Sequence, residues 1–255
     1  MNPLFVRGLG LWTPGFSSPG AWCLGDRDPE VTQPATSLLT GALKRRSSEV
    51  TRIAIDAFSQ AAAQAGCDPA AVPSVWATAH GEHSTALHLL GMMNKGEGKV
   101  SPANFHNSVH NTPSAYASIS AGNTAPSTTL TGGSELVCAA LTETMCLAGS
   151  LERDAVVVFA DEALKPPFDV SGSNLPLAIA FCLGQERAGS LAQISSLQRN
   201  GTALSPHAHF GFLHVSAALP LLEKIVERRP GRVALEFESS GTDPVWAVDV
   251  EPVAD

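Results

Sequence analysis

The segment Gly132-Gly133-Ser134-Glu135-Leu136 sets a hydroxyl between a glycine turn and an apolar run. A serine there is a nucleophile if a general base adjoins it, and a helix N-cap if its oxygen accepts a backbone N–H. The hydrolase elbow requires G-x-S-x-G, and Leu136 stands where the final glycine belongs. The N-cap is therefore the expected role of Ser134. Glu135 beside it would oppose any negative charge developing at that hydroxyl. The histidines form three groups: His80, His83 and His88; His106 and His110; and His207, His209 and His214. The first two could face a metal ion by spacing, but no H-E-x-x-H accompanies them, so no metal is expected. The third group lies in or beside a polar loop and carries no assigned role. Five cysteines, odd in number and without C-x-x-C spacing, argue against a disulfide framework or a thiolate zinc site and fit a reducing cytoplasm.

The elements that must position these residues alternate short β-rich runs with helical stretches, as layered α/β proteins do. Strands are expected at Leu4–Leu11, Ser74–Ala79, Ser127–Leu130, Ala155–Ala160, Leu177–Phe181, Leu191–Leu197, Val233–Phe237 and Val245–Val250, about five of them forming the main mixed sheet. The run AVVVFA at 155–160 is apolar on both faces, which marks a central strand covered twice. Ser47-Ser48 can cap a helix carrying Val50, Ile53, Ala57, Phe58 and Ala61 on one face, and Gly66 can end it. A second helix runs through STALHLLGMM. A third, from Ser134 to about Ala148, is apolar around most of its circumference and is expected to be buried all round. Lys165–Asn174 and Asn200–His209 read as loops. Leu213–Arg228 is helical, either kinked at Pro220 or beginning anew there.

Lys and Arg number 16 against 24 Asp and Glu, a net charge of −8, which disfavours nucleic acid and anionic membranes as partners. No export signal or membrane-spanning run is present in the expected pattern. The basic runs Lys44-Arg45-Arg46 and Arg228-Arg229 with Arg232 read as solvated helix ends.

Val100–Glu135, VSPANFHNSVHNTPSAYASISAGNTAPSTTLTGGSE, resembles the β-ketoacyl synthase stretch that runs from an S-P-x-x-F segment through an interface helix to the nucleophile. PLFVRGLGLWTP is similar to that family's first strand and turn. The similarity covers about residues 3–200, the N-terminal half of a ketosynthase. GRVALEFESSGTDPVWAVDVEP looks like a compressed closing hairpin, with Ser239–Asp243 as its turn. The resemblance implies one domain over 1–255, with a compressed helix and hairpin over 201–255. It implies a truncated thiolase-like layered α/β fold, a mixed sheet covered by helices. Ser134 falls where the family has its catalytic cysteine, and the family's two catalytic histidines belong to a half that this chain does not supply. No catalytic residue and no cofactor are therefore expected.

Size, the S-V-H-N segment and the Gly-x-x-Glu turn are similar to the half-size chain length factors of aryl polyene and xanthomonadin-type pigment clusters. That likeness implies a non-catalytic subunit paired with a full-length ketosynthase, or with itself when alone, and meeting acyl carrier protein indirectly. The alternatives are a homodimeric acyltransferase acting through Ser134 and a purely structural stabiliser. By the same likeness Asn107, His110, Asn111, Tyr116, Thr128, Thr129 and Leu130 are dimer-interface candidates. His83, Leu87, Leu90 and Met93, on a helix that would reach the partner's acyl tunnel, are chain-length gating candidates. Leu87, Leu90 and Met93 share a helical face by i, i+3 spacing, and His83 joins Leu87 by i, i+4.

Overall fold

A computed structural model describes residues 4–96, 101–166, 168, 175–211, 213–237 and 244–254. The strands are β1 (Leu4–Trp12), β2 (Ser74–Thr78), β3 (Ser127–Thr131), β4 (Ala155–Asp161), β5 (Leu177–Gly184), β6 (Ala192–Gly201), β7 (Gly231–Ala234) and β8 (Val245–Pro252). They form one eight-stranded mixed sheet in the order β3-β2-β4-β5-β1-β6-β8-β7. The first five make a unit in which β2 runs parallel to both β3 and β4 while β5 is antiparallel to β4 and β1. Instead of standing apart from this unit, β6, β8 and β7 extend it from the edge of β1. The sheet is thus wider than the five main strands expected. All seven residues of β4 and all eight of β5 are buried, as a doubly covered centre requires.

The helices are α1 (Pro19–Leu24), α2 (Gly41–Arg46), α3 (Glu49–Ala65), α4 (His83–Lys95), α5 (Pro102–His106), α6 (Thr112–Ala121), α7 (Leu136–Leu151) and α8 (Leu219–Val226). Alternation along the central strands divides the core in two. Val157, Phe159, Ile179 and Phe181 point to the α7 and α8 side, whereas Val158, Ala178, Ala180 and Cys182 point to the α3 side. The small residues on the second face let α3 sit close. A β-carbon at Gly8 or Gly10 of β1 would lie well inside 3.0 Å of the carbonyl oxygen of Ala61 or Ala57. That proximity also lets α3 serve the backbone of β1 beyond Val6, where pairing with β6 stops. Gln64 Oε1 accepts from the Leu9 N–H at 2.8 Å, and Gln60 both accepts from the Leu11 N–H and donates to the Leu11 carbonyl at 3.1 Å.

Ser48 caps α3, accepting the Thr51 N–H at 3.1 Å, and Gly66 ends it with φ +70°. Pro220 opens α8 behind a 3₁₀ turn at His214–Ala218, so the helix begins anew there. Three expectations are corrected. Strand β7 ends at Ala234, and Phe237 instead bridges Leu204. Ser134 is not the cap of α7: the helix starts at Leu136, Glu135 holds the cap position, and no side-chain cap bond forms. Nor is α7 buried all round. Ala139 and Cys146 are exposed because no second layer among the described residues covers that side. Most of the Lys165–Asn174 loop and the whole Ser239–Asp243 turn lie outside the described residues.

Replacing Gly10 by alanine should cost at least about 2 kcal/mol, since overpacking against a backbone carbonyl cannot relax through a rotamer. Urea denaturation of Gly10→Ala within 0.5 kcal/mol of the wild type would contradict this packing; for scale, ordinary surface substitutions stay within about ±0.5 kcal/mol.

Candidate functional site

Three parallel strands, β3, β2 and β4, end together, with Thr78 opposite Thr131 and Ala77 opposite Phe159. The turn bearing His80, the turn bearing Ser134 and the pair Asp161-Glu162 therefore emerge from one end of the sheet. In open α/β sheets this is where ligands are received.

Asp161 closes β4 with a fully buried carboxylate. Its Oδ1 accepts from Thr78 Oγ1 at 2.5 Å and from the His80 N–H at 3.0 Å, and its Oδ2 accepts from the Ala79 N–H at 3.0 Å. The Thr78 hydroxyl oxygen in turn accepts from the Gly81 N–H at 2.7 Å. One carboxylate thus shapes the turn that carries His80. Burial raises the Asp161 pKa to about 6, against the lowering effect of those donors and of His214.

Around it stand three imidazoles. The His80 ring lies 6.3 Å from that of His83 and 6.5 Å from that of His214, centre to centre. Burial lowers the pKa of His80 and of His214; neighbouring His83 lowers that of His80 further, and His80 that of His214, against the raising effect of Asp161. Both are therefore predominantly neutral at pH 7. His83 packs edge-on against Phe168. His83 Nε2, Ser84 Oγ and His214 Nδ1 are buried without a hydrogen-bond partner among the described residues. A patch with neutral imidazoles and unsatisfied polar atoms can hold a polar group or pass a proton.

Two further carboxylates hold the frame. Glu82 accepts from Ser48 Oγ and Thr51 Oγ1, each at 2.8 Å, so the start of α3 is tied to the start of α4. Burial raises its pKa. Glu162 Oε1 accepts from the Ser84 N–H at 2.6 Å, a negative group at the N-terminus of α4.

The structure separates the residues that sequence spacing had grouped. His80 and His83 come together, but His88 is exposed on α4 and its place is taken by His214. His207 and His209 pack near Trp22 and Phe210 instead. Ser134 is half-buried, and its hydroxyl has no hydrogen-bond partner among the described residues; Glu135 is exposed, 3.5 Å from Arg199. No base is therefore engaged with Ser134. Of the gating candidates, Leu87 is half-buried while Leu90 and Met93 are exposed; Leu89 is the buried residue of α4. Thr128, Thr129 and Leu130 are half-buried on β3, Asn107 is half-buried and donates to the Arg46 carbonyl at 3.1 Å, and His110 and Asn111 are exposed. Tyr116 departs from the interface reading: it is buried within the chain, and its hydroxyl donates to Asn107 Oδ1 at 2.8 Å. Asp161, Glu82 and His214 were missed as site residues. A carboxylate ending an otherwise apolar strand was the available signal for the first; nothing local marks the other two.

On the uncovered side of α7 an open groove of about 1040 Å³ runs between that helix and β6 and β8, lined by Leu130, Cys138, Ala139, Met145, Leu197 and Trp246. Its lining is mostly apolar.

Comparison with known proteins follows this geometry. A sequence profile described as the beta-ketoacyl synthase N-terminal domain matches residues 21–229. A chain in the structure of the ketosynthase ApeO in complex with its chain length factor ApeC, from Xenorhabdus doucetiae, aligns over 98% of this chain and 100% of its own, with 18% identity and a TM-score of 0.73. The ishigamide ketosynthase/chain length factor aligns over 98% and 99%, with 13% identity and a TM-score of 0.70. A beta-ketoacyl synthase from Burkholderia phymatum STM815 aligns over 88% and 70%, with 14% identity and a TM-score of 0.62. These likenesses establish the thiolase-like layered fold. No curated protein matches the sequence.

The Asp161 pKa carries a pH signature. Its folded value, about 6, lies above the ordinary 3.8, so its contribution to stability is complete below about pH 4 and is lost as pH rises through 6. The raised Glu49, Asp56 and Glu82 act in the same sense, and the lowered His80 and His214 act oppositely. Asp161→Asn removes one of these terms, so the stability gap between variant and wild type should change by more than about 1 kcal/mol between pH 4 and 7. Denaturation curves with a constant gap over that range would refute the assignment.

Proposed function

Because the chain belongs to the β-ketoacyl synthase N-terminal domain family, we propose that it is a non-catalytic, chain-length-factor-like subunit of a β-ketoacyl synthase complex. Its partner is a full-length ketosynthase of a type II polyketide or fatty-acid-like system of the aryl polyene type, and acyl carrier protein docks through that partner. The observation carrying this reading is the bare outer edge of β3, which no described residue pairs. The flanking elements leave large apolar side chains exposed: Leu90 and Met93 on α4, Phe105 on α5, Val109 beyond it and Ile119 on α6. A bare strand edge bordered by apolar side chains is an unfinished surface in a chain of this charge.

That the Ser134 hydroxyl has no hydrogen-bond partner among the described residues supports a supporting rather than a chemical role. The end-to-end overlay on a chain from a ketosynthase–chain length factor complex supports the half-size assignment. On α4, Leu87 and Leu90 reach toward the end of the partner's acyl tunnel and set how many carbons it accommodates. The free cysteines fit a cytoplasmic setting, and no helix among the described residues is long and apolar enough to cross a membrane. The His80, His83 and His214 group favours one rival, an acyltransferase working through Ser134. An acyl adduct on the purified chain, seen by intact mass after incubation with acylated carrier protein, would establish that rival.

Two experiments on the complex with its ketosynthase follow. Leu90→Asp combined with Met93→Asp should weaken assembly at least tenfold in light scattering or calorimetry, since two carboxylates would be desolvated at the interface. Undiminished affinity would place the interface elsewhere. In reconstituted product assays Ser134→Ala should keep turnover within a few-fold, whereas loss of a true nucleophile costs many orders of magnitude. Leu90→Phe should shorten the product. Near-complete loss of product with Ser134→Ala in an assembled complex would identify an active site.

A further inference from the structure

At the opposite end of β4 from Asp161 lies a second cluster. Cys67 follows the end of α3, Asp154 precedes β4, and Cys182 lies near the end of β5. Cys67 Sγ stands 3.7 Å from Cys182 Sγ and 3.4 Å from Asp154 Oδ2, and the three ligand atoms all lie within 4.8 Å of one another. Cys182 is fully buried, whereas Cys67, Asp154 and Arg7 line an open pocket of about 450 Å³.

We propose that Cys67, Cys182 and Asp154 form a binding site for a thiophilic divalent cation of the zinc class. Tetrahedral zinc with Zn–S of about 2.3 Å and Zn–O of about 2.1 Å separates two sulfurs by about 3.8 Å, and a sulfur from a carboxylate oxygen by about 3.6 Å. The Cys67–Cys182 and Cys67–Asp154 separations, 3.7 and 3.4 Å, lie close to these values, and the Cys182–Asp154 separation is within 4.8 Å. Binding releases one proton from each thiol, so two thiolates and one carboxylate meet a doubly charged ion and leave one negative charge. Arg7, which also pairs with the more exposed Glu186 at 3.5 Å, offsets it in part: its Nη1 donates to Asp154 Oδ2 at 2.5 Å, an outer partner for a ligating carboxylate. Gly184 leaves room for Asp154, because a β-carbon there would collide with Asp154 Oδ1. The fourth coordination position faces the pocket and takes a water molecule. The ion would tie the end of α3 to β4 and β5, roughly 20 Å along β4 from the histidine group.

The test uses the full chain, reduced and stripped with a chelator, then titrated with zinc or with cobalt as a spectroscopic probe. One equivalent should bind, and cobalt should show thiolate-to-metal charge transfer with tetrahedral ligand-field bands. Cys67→Ser, on the half-buried ligand, and Asp154→Asn should each weaken binding at least tenfold while circular dichroism stays native. Arg7→Gln should weaken it about tenfold. A variant with Cys23, Cys138 and Cys146 all changed to serine should bind as the wild type does. Three results would overturn the proposal: no thiolate band, zinc held equally by Cys67→Ser, or a Cys67–Cys182 disulfide forming in air while the reduced chain takes up no metal.

Discussion

The approach of α3 to β1 is the constraint on which the rest of the molecule depends. Strand β1 is the seam of the sheet, pairing with β5 over its length and with β6 only at Leu4–Val6. Beyond that point its free backbone groups need partners, and Gln60 and Gln64 reach them only because Gly8 and Gly10 admit the helix. Ala178, Ala180 and Cys182 keep the adjoining face of β5 small for the same reason. The position of α3 then propagates. Its capping Ser48 bonds Glu82, which fixes the start of α4, and α4 presents His83 to His80. Packing of glycine against alanine carbonyls is thus linked, through one serine and one glutamate, to the geometry of the histidine group.

The two faces of the sheet answer different demands. The α3 face is closed, with Phe58 stacked on Trp76 at 5.3 Å. The α7 face is closed toward the strands but open outward, where a longer relative could place a further layer. The sequence of α7 is apolar around much of its girth, yet its outward residues Ala139, Thr142 and Glu143 border a groove instead of a core. An apolar helix therefore need not be enclosed by its own chain.

Much of the fold was legible in residue order. The alternation in β4 and β5, the Ser48 cap and the Gly66 stop each express a local rule, and the structure follows them. The longest motif, Val100–Glu135, announced the family because it carries many residues whose order is rarely repeated by chance. What failed to show were relations across the chain. His214 joins His80 from 134 positions away, and His88, only eight away, points elsewhere because it lies on the exposed side of α4. The Ser134 cap failed for a local reason: the chain turns through Gly133-Ser134-Glu135 before α7 begins, so the helix starts two residues later. Nor did spacing show that the Tyr116 ring is buried within the chain, with its hydroxyl on Asn107. The apposition of Cys67 with Cys182 spans 115 positions and has no signature in spacing.

The unpaired edge of β3 has a consequence for supply. Edge strands are templates for any extended segment they meet, and natural proteins protect them with charge, proline or short length. This edge reads Ser-Thr-Thr-Leu-Thr, uncharged and free of proline. Copies synthesised beyond the number of available partners would carry that template bare, and self-association or proteolysis would remove them. On the function proposed above, production of the chain would have to be matched to that of the partner that covers β3.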